Sequence, residues 1–176
     1  QGLDYFGTHI YTAPESQDKW LVKDGATQYK LVVPAGTVEA DPIFFNESKS
    51  TFLKFFERAT NAVMPIVIDT SLPEKGHSAD QHYVSLGKTS LLASLVGTPN
   101  EIDCTLDTND NNGGKITTID NNIYLTSATD MGLLNIVYTF LQVTYNYECY
   151  SSTAVVCDEN LTDLKLREYA VYDIPD

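Results

Sequence analysis

Apolar residues recur along this chain with two different spacings. In "NESKSTFLKFFERAT", Phe52, Phe55, Phe56 and Ala59 fall at i, i+3, i+4 and i+7, which is one face of a helix. Asn46 or Ser48 can cap its start, and Glu47 suits the positive end of the helix dipole. Asn61 tolerates the left-handed conformation that stops a helix, and Pro65 blocks continuation. A second helix is predicted in "MGLLNIVYTFLQVTYNY", residues 131–147, which carries no charged side chain. There Leu133, Ile136, Val137, Phe140 and Leu141 cover one face, and Leu134 and Tyr138 widen it. Asn135, Thr139 and Gln142 form a narrow polar stripe, so a helix of about fourteen residues should be buried over most of its girth. Ser127 and Asp130 supply an S-x-x-D start signature.

Between and around these helices the apolar runs are short and rich in β-branched and aromatic residues. "YKLVV", "PIVID", "HYVSLG", "IDCTL", "KITTID", "NNIYLTS", "YNYECY" and "TAVVC" read as strands, with "IDNN" a hairpin turn. "KTSLLASLVG" reads as a short helix or helical turn, with Thr89 or Ser90 near its start and Gly97 past its end. Residues 1–28 offer only the strand candidates "YFGTHIYT" and "KWLV", and are expected to form an extension with edge strands ahead of one domain over 29–176. No regular βαβ alternation and no internal repeat is present. The expectation is an α+β domain, a mixed β-sheet with helices packed against it.

Charge narrows the partners. The net charge is −13, and neither nucleic-acid binding nor docking on anionic lipid suits a chain without clustered Lys and Arg. The apolar helix is too short and too polar to span a bilayer, so membrane insertion is not expected. No signal peptide is visible and the chain opens on Gln1, as a processed chain would, so any exporting or anchoring segment would lie outside it.

Candidate chemistry is sparse. Three cysteines, Cys104, Cys149 and Cys157, are too few for a disulfide scaffold. Cys149 and Cys157 flank the hairpin "YSSTAVV", where opposed residues lie within disulfide reach. They are expected either as a disulfide or as two reduced, half-buried thiols. The loop "DTNDNNGGK" has oxygen ligands at Asp107, Asn109 and Asn111, but Asn112 and Thr118 replace the glycine and acid of a calcium loop, so a turn is expected. His9, His77 and His82 show no metal-binding spacing, and no metal or cofactor is implied. "VSLGKTS" lacks the first glycine of a phosphate loop, since His82 stands there. No G-x-S-x-G elbow exists, no carboxylate pair can be singled out, and no catalytic residue is assigned. Eleven tyrosines suit half-buried strands as well as sugar-binding surfaces. Tyr147 and Tyr150, with Tyr145 beside them, serve either the core or a ligand-facing platform, Tyr145 and Tyr147 on one side of a strand and Tyr150 on the other.

Four segments in order carry a resemblance. "YKLVVPAGT", "FLKFFERATNAVMPIVID", "YVSLGKTSLL" and "GLLNIVYTFLQVTYNYECY" resemble the N-terminal domains that precede the catalytic barrel in α-glucuronidase-type and β-hexosaminidase-type glycoside hydrolases, and are most similar to bacterial secreted proteins of the DUF4838 group. Gly132, Val137, Tyr138, Phe140 and Leu141 match the late-helix pattern of those domains. The chain departs from it at Thr139 and Gln142, where acids are common, and at Asn146, Tyr147 and Glu148, where Gly-x-Arg is common. The resemblance covers about Tyr29 to Asp176. It implies a mixed β-sheet with two main helices packed on one face, and a non-catalytic domain of a secreted or cell-surface bacterial protein, whose partner is an adjacent catalytic domain of the same polypeptide. A stand-alone carbohydrate-binding module with a glycan partner is the alternative, and a small hydrolase a third.

Overall fold

The computed structural model describes residues 8–38, 43–102 and 113–174. Eleven strands and three helices run in the order β1 (Thr8–Thr12), β2 (Glu15–Val22), β3 (Lys30–Val33), α1 (Ile43–Thr60), β4 (Ile66–Ile68), β5 (Tyr83–Leu86), α2 (Ser90–Ala93), β6 (Gly114–Ile119), β7 (Asn122–Ser127), α3 (Asp130–Tyr145), β8 (Glu148–Ser151), β9 (Ala154–Val156), β10 (Leu164–Arg167) and β11 (Ala170–Ile174). Seven strands form one mixed sheet in the order β1-β11-β6-β7-β5-β3-β4. The half from β7 to β4 is parallel, and the half from β1 to β7 is antiparallel. Two-stranded ribbons, β2 with β10 and β8 with β9, complete the domain.

Strand alternation divides the side chains between two layers. Leu31, Val33, Val84, Leu86, Ile116, Ile123, Leu125 and Val171 share one core with α1 and α3. Val32, Ile119 and Tyr124 point the other way and pack with Leu72, Leu91 and Leu95 around α2. The expected architecture, a mixed sheet with two main helices on one face, is the one observed. Phe52, Phe55, Phe56 and Ala59 are buried, as are Leu133, Ile136, Val137, Phe140 and Leu141.

The helix ends correct the sequence reading in detail. α1 spans Ile43–Thr60, so Asn46 and Ser48 lie inside it, and the Ser48 hydroxyl donates to the Phe44 carbonyl. Asn61 does adopt φ 61° past its end. The N-cap of α3 is Thr129, whose hydroxyl accepts from the Gly132 N–H at 3.0 Å, while Ser127 Oγ donates to the Gly113 carbonyl. Asn146, left-handed at φ 53°, caps the other end. Of the polar stripe, Asn135 and Gln142 are exposed, but Thr139 is buried and donates to the Asp173 carboxylate at 2.7 Å.

β1 is an edge strand, paired with β11, and β2 delivers Leu21 and Val22 into the main core. Among the described residues no helix is long and apolar enough to cross a membrane.

Gly114 fixes how closely α3 lies on β6. A Cβ there would meet the Ile136 Cβ at 2.7 Å and the Thr126 carbonyl oxygen at 2.9 Å. Alanine in place of a strand glycine normally gains a little from lower chain entropy. Here both obstacles are close to the backbone and cannot swing aside, so overpacking wins. Gly114→Ala is expected to cost about 1–3 kcal/mol in urea denaturation, and an unchanged midpoint would show that the helix stands farther off than described.

Candidate functional site

The best-formed cleft lies at the end of the sheet where β3, β5 and β7 begin. Its volume is about 400 Å³, and β2, the turn after it, the approach to β3, His82 and the β6–β7 turn enclose it. Local chain chemistry builds each wall. The turn closes by a Lys23–Ala26 bridge, with Asp24 at φ 52° and Gly25 at φ 75°. It is tied to the β9–β10 connection by the Asp24 N–H donating to Asp163 at 2.8 Å and the Gly25 N–H donating to the Thr162 carbonyl at 2.9 Å. The Asp24 amide hydrogen bond, with Lys23 adding its charge, holds the Asp163 carboxyl below the usual aspartate range. Thr27 Oγ1 donates to the Leu21 carbonyl and accepts from the Tyr29 N–H, which turns the chain into β3.

Tyr29 forms the floor. Its hydroxyl donates to the Asn121 carbonyl at 2.6 Å, its ring meets His82 edge-on at 5.5 Å between centroids, and burial keeps its phenol protonated far above pH 10. Trp20, the chain's single tryptophan, forms the side wall. The Lys23 ammonium lies 4.3 Å and the Lys165 ammonium 5.2 Å from its ring centroid, which holds the indole by cation–π attraction. The Trp20 indole N–H, the His82 ring nitrogens and the Gln28 carboxamide make no hydrogen bond among the described residues. A second depression of about 340 Å³ adjoins the first, shares Gln28 and His82 with it, and reaches Lys30, Glu74, Asp80 and Tyr83.

Beside the cleft sits a closed polar network. His77 Nδ1 is 2.7 Å from the Tyr124 hydroxyl, and Nε2 is 2.7 Å from the Asp120 carboxylate. Burial pushes the Tyr124 phenol up to about 12, so its hydroxyl keeps its proton against Nδ1, while Nε2 faces the Asp120 carboxylate. Asn122 and Gln81 extend the network, with Asn122 Nδ2 donating to Gln81 Oε1 at 2.9 Å. Both ring nitrogens of His77 are thereby used to clasp the 72–82 loop onto the β6–β7 hairpin. That is a structural task, and it leaves His77 no free position for acid–base work on a ligand.

The residues singled out from sequence are distributed differently. Tyr145 is not on a strand but ends α3, fully buried. Tyr147 is 7% exposed and packs against Phe55 at 5.1 Å and Tyr138 at 5.7 Å. Tyr150 is 70% exposed, its hydroxyl donating to the Glu148 carboxylate. The two do not form a platform, because one belongs to the core. Cys149 and Cys157 are both free thiols, the first exposed and the second buried. The β8–β9 register sets Cys149 opposite Val155, with a shift before Ser151, so Cys157 lies two residues from the position a disulfide needs. Iodoacetamide is therefore expected to modify Cys149 in the native protein and Cys157 only after denaturation, since burial also keeps the Cys157 thiol protonated. Equal labelling rates read by peptide mass spectrometry would contradict this.

His77 and His82 serve different sites, and the side chain of His9 lies outside the description. Cys104 and most of "DTNDNNGGK" lie outside the described residues. Among the described residues no group of three or more His, Cys, Asp or Glu is placed to hold a metal. Sequence reasoning missed Trp20, Gln28 and His82 as a group because three separate segments bring them together. The available signal was a lone tryptophan between Lys19 and Lys23 on a strand. No protein-family model matches the chain, and no curated protein matches it.

Proposed function

We propose that this chain is a non-catalytic domain of a secreted or cell-surface, carbohydrate-active bacterial protein, and that it supports or orients a catalytic barrel joined to it. One observation carries the reading. The four resembling segments fall on β3, on α1 with β4, on β5 with α2, and on α3 with β8, and α1 and α3 lie together on one face of a mixed sheet. That is the arrangement the resemblance implies. The polar groups with the most ordered geometry, around His77, are spent on holding loops rather than turned toward a cleft.

The test has two arms. The isolated 176 residues are expected to hydrolyse nothing in a panel of aryl glycosides and oligosaccharides. Removing this domain from the natural polypeptide is expected to lower the melting temperature of the remainder. Turnover by the isolated chain, or a remainder that melts unchanged, overturns the reading. A stand-alone carbohydrate-binding module is the second reading, and the Trp20 cleft is what favours it.

A further inference from the structure

We propose that the two adjoining depressions around Trp20, Gln28 and His82 form one groove that binds a neutral oligosaccharide. The inference rests on the carbohydrate-active reading and adds to it a site and a ligand class.

Size is the first support. The two depressions, about 400 and 340 Å³, each fall in the range of small-ligand sites, and they meet along Gln28 and His82. A ligand that uses both must be longer than one ring. Charge is the second. The protein carries −13 overall, yet the charged lining is balanced, with Lys19, Lys23 and Lys30 against Asp18, Glu74 and Asp80. A groove for a cation would share the acidic bias of the whole surface, and a groove for an anion would exceed its acids in lysines. Balanced lining suits a neutral ligand.

Hydrogen-bond chemistry is the third support. The indole N–H of Trp20 only donates, whereas the His82 ring and the Gln28 carboxamide each offer a donor and an acceptor. All three stand without a hydrogen-bond partner among the described residues. Hydroxyl groups both donate and accept, so a polyhydroxylated ligand matches this mixture. The indole also supplies a flat apolar surface for the C–H face of a sugar ring. A ring lying there displaces the Lys23 ammonium, whose flexible stem then lets it donate to a hydroxyl. The floor does not need to be ordered on binding, because Tyr29 is already fixed by Asn121 and by the edge of His82.

The single tryptophan makes the test direct. The 176-residue protein is applied to an array of neutral and acidic glycans, and Trp20 emission is then titrated with a neutral oligosaccharide that binds and with its constituent monosaccharide. A saturable emission change is expected, with the oligosaccharide at least tenfold tighter than the monosaccharide and a Kd that moves less than twofold between low and high salt. Gln28→Ala is expected to weaken binding at least tenfold with an unchanged melting temperature, since Gln28 is exposed and makes no hydrogen bond among the described residues. His82→Ala should weaken it comparably. No neutral glycan bound on the array, binding that leaves Trp20 emission and the Gln28→Ala affinity unchanged, or salt-sensitive binding of acidic glycans only, would each overturn the groove. Any of these leaves the accessory-domain reading standing, whereas glycoside turnover by the isolated chain overturns that reading without touching the groove.

Discussion

Raising the pH from 10 toward 12 is expected to unfold this protein in one cooperative step. Tyr29, Tyr124, Tyr145 and Tyr169 are each at most 3% exposed. Burial pushes all four phenols up, Tyr124 to about 12. The sign follows from linkage. An unfolded chain releases its tyrosine protons near pH 10 while the folded chain still holds these four, so base favours the unfolded state. The stability they contribute is complete below pH 10 and is lost as the pH climbs through their folded values. Each buried tyrosine takes away about 1.4 kcal/mol per pH unit in this window. Four together take roughly 5 kcal/mol per unit, against a total of about 5–15 kcal/mol for an ordinary domain. Tyrosinate absorbance and far-ultraviolet circular dichroism should therefore change together. Tyr145→Phe provides the control, because its hydroxyl has no partner among the described residues and its loss removes one titrating group. That variant should unfold at higher pH. Full ionisation of the tyrosines with native circular dichroism retained would refute the account.

The second large effect is expected at Phe140. It is fully buried in the middle of α3, and its ring meets Phe52 at 5.1 Å, Tyr169 at 5.4 Å and Tyr145 at 5.9 Å. Two segments far apart in sequence, α1 and the β10–β11 turn, thus converge with α3 on one side chain. Alanine would remove the ring and leave a cavity that these large neighbours, each held by its own backbone element, can only partly fill. A loss of about 3–5 kcal/mol is expected in urea denaturation, with the denaturant slope unchanged. Phe140→Leu should recover most of the volume and more than half of the loss. A loss below about 1 kcal/mol for alanine would mean that the core around α3 collapses freely, unlike a close-packed interior.

Both helices were legible because their apolar residues repeat with the helical period and the repeat is long enough to exclude a strand. The same period placed Phe140 and Phe52 in the core without any knowledge of their contact. The hairpin of β6 and β7 was legible from "IDNN", with Asp120 at φ 55° in the turn. Thr139 was misjudged because it lies in line with the polar Asn135 and Gln142, and only the distant Asp173 gives it a buried partner. Tyr145 was misjudged because β-like composition followed directly on a helix, and the left-handed Asn146 that separates them is invisible to periodicity. Of the two cysteine states left open, the free thiols are found, because the β8–β9 register sets Cys149 opposite Val155. Of the Trp20 groove only the lone tryptophan left a signal in the sequence. The groove walls come from residues 18–29, 82 and 121, and no local pattern links them.

The pairing of β1 with β11 joins the start and finish of the described chain, with Thr8 opposite Ile174 in an antiparallel ladder. Opposed residues of such a ladder lie about 5 Å apart. A bridge of a few residues would therefore close the backbone into a ring, and the exposed Ser152–Thr153 tip offers a place to reopen it. Segment order is consequently separable from the shape that the segments make. The unit could be spliced into the middle of another polypeptide with little disturbance to its host, since entry and departure share one corner.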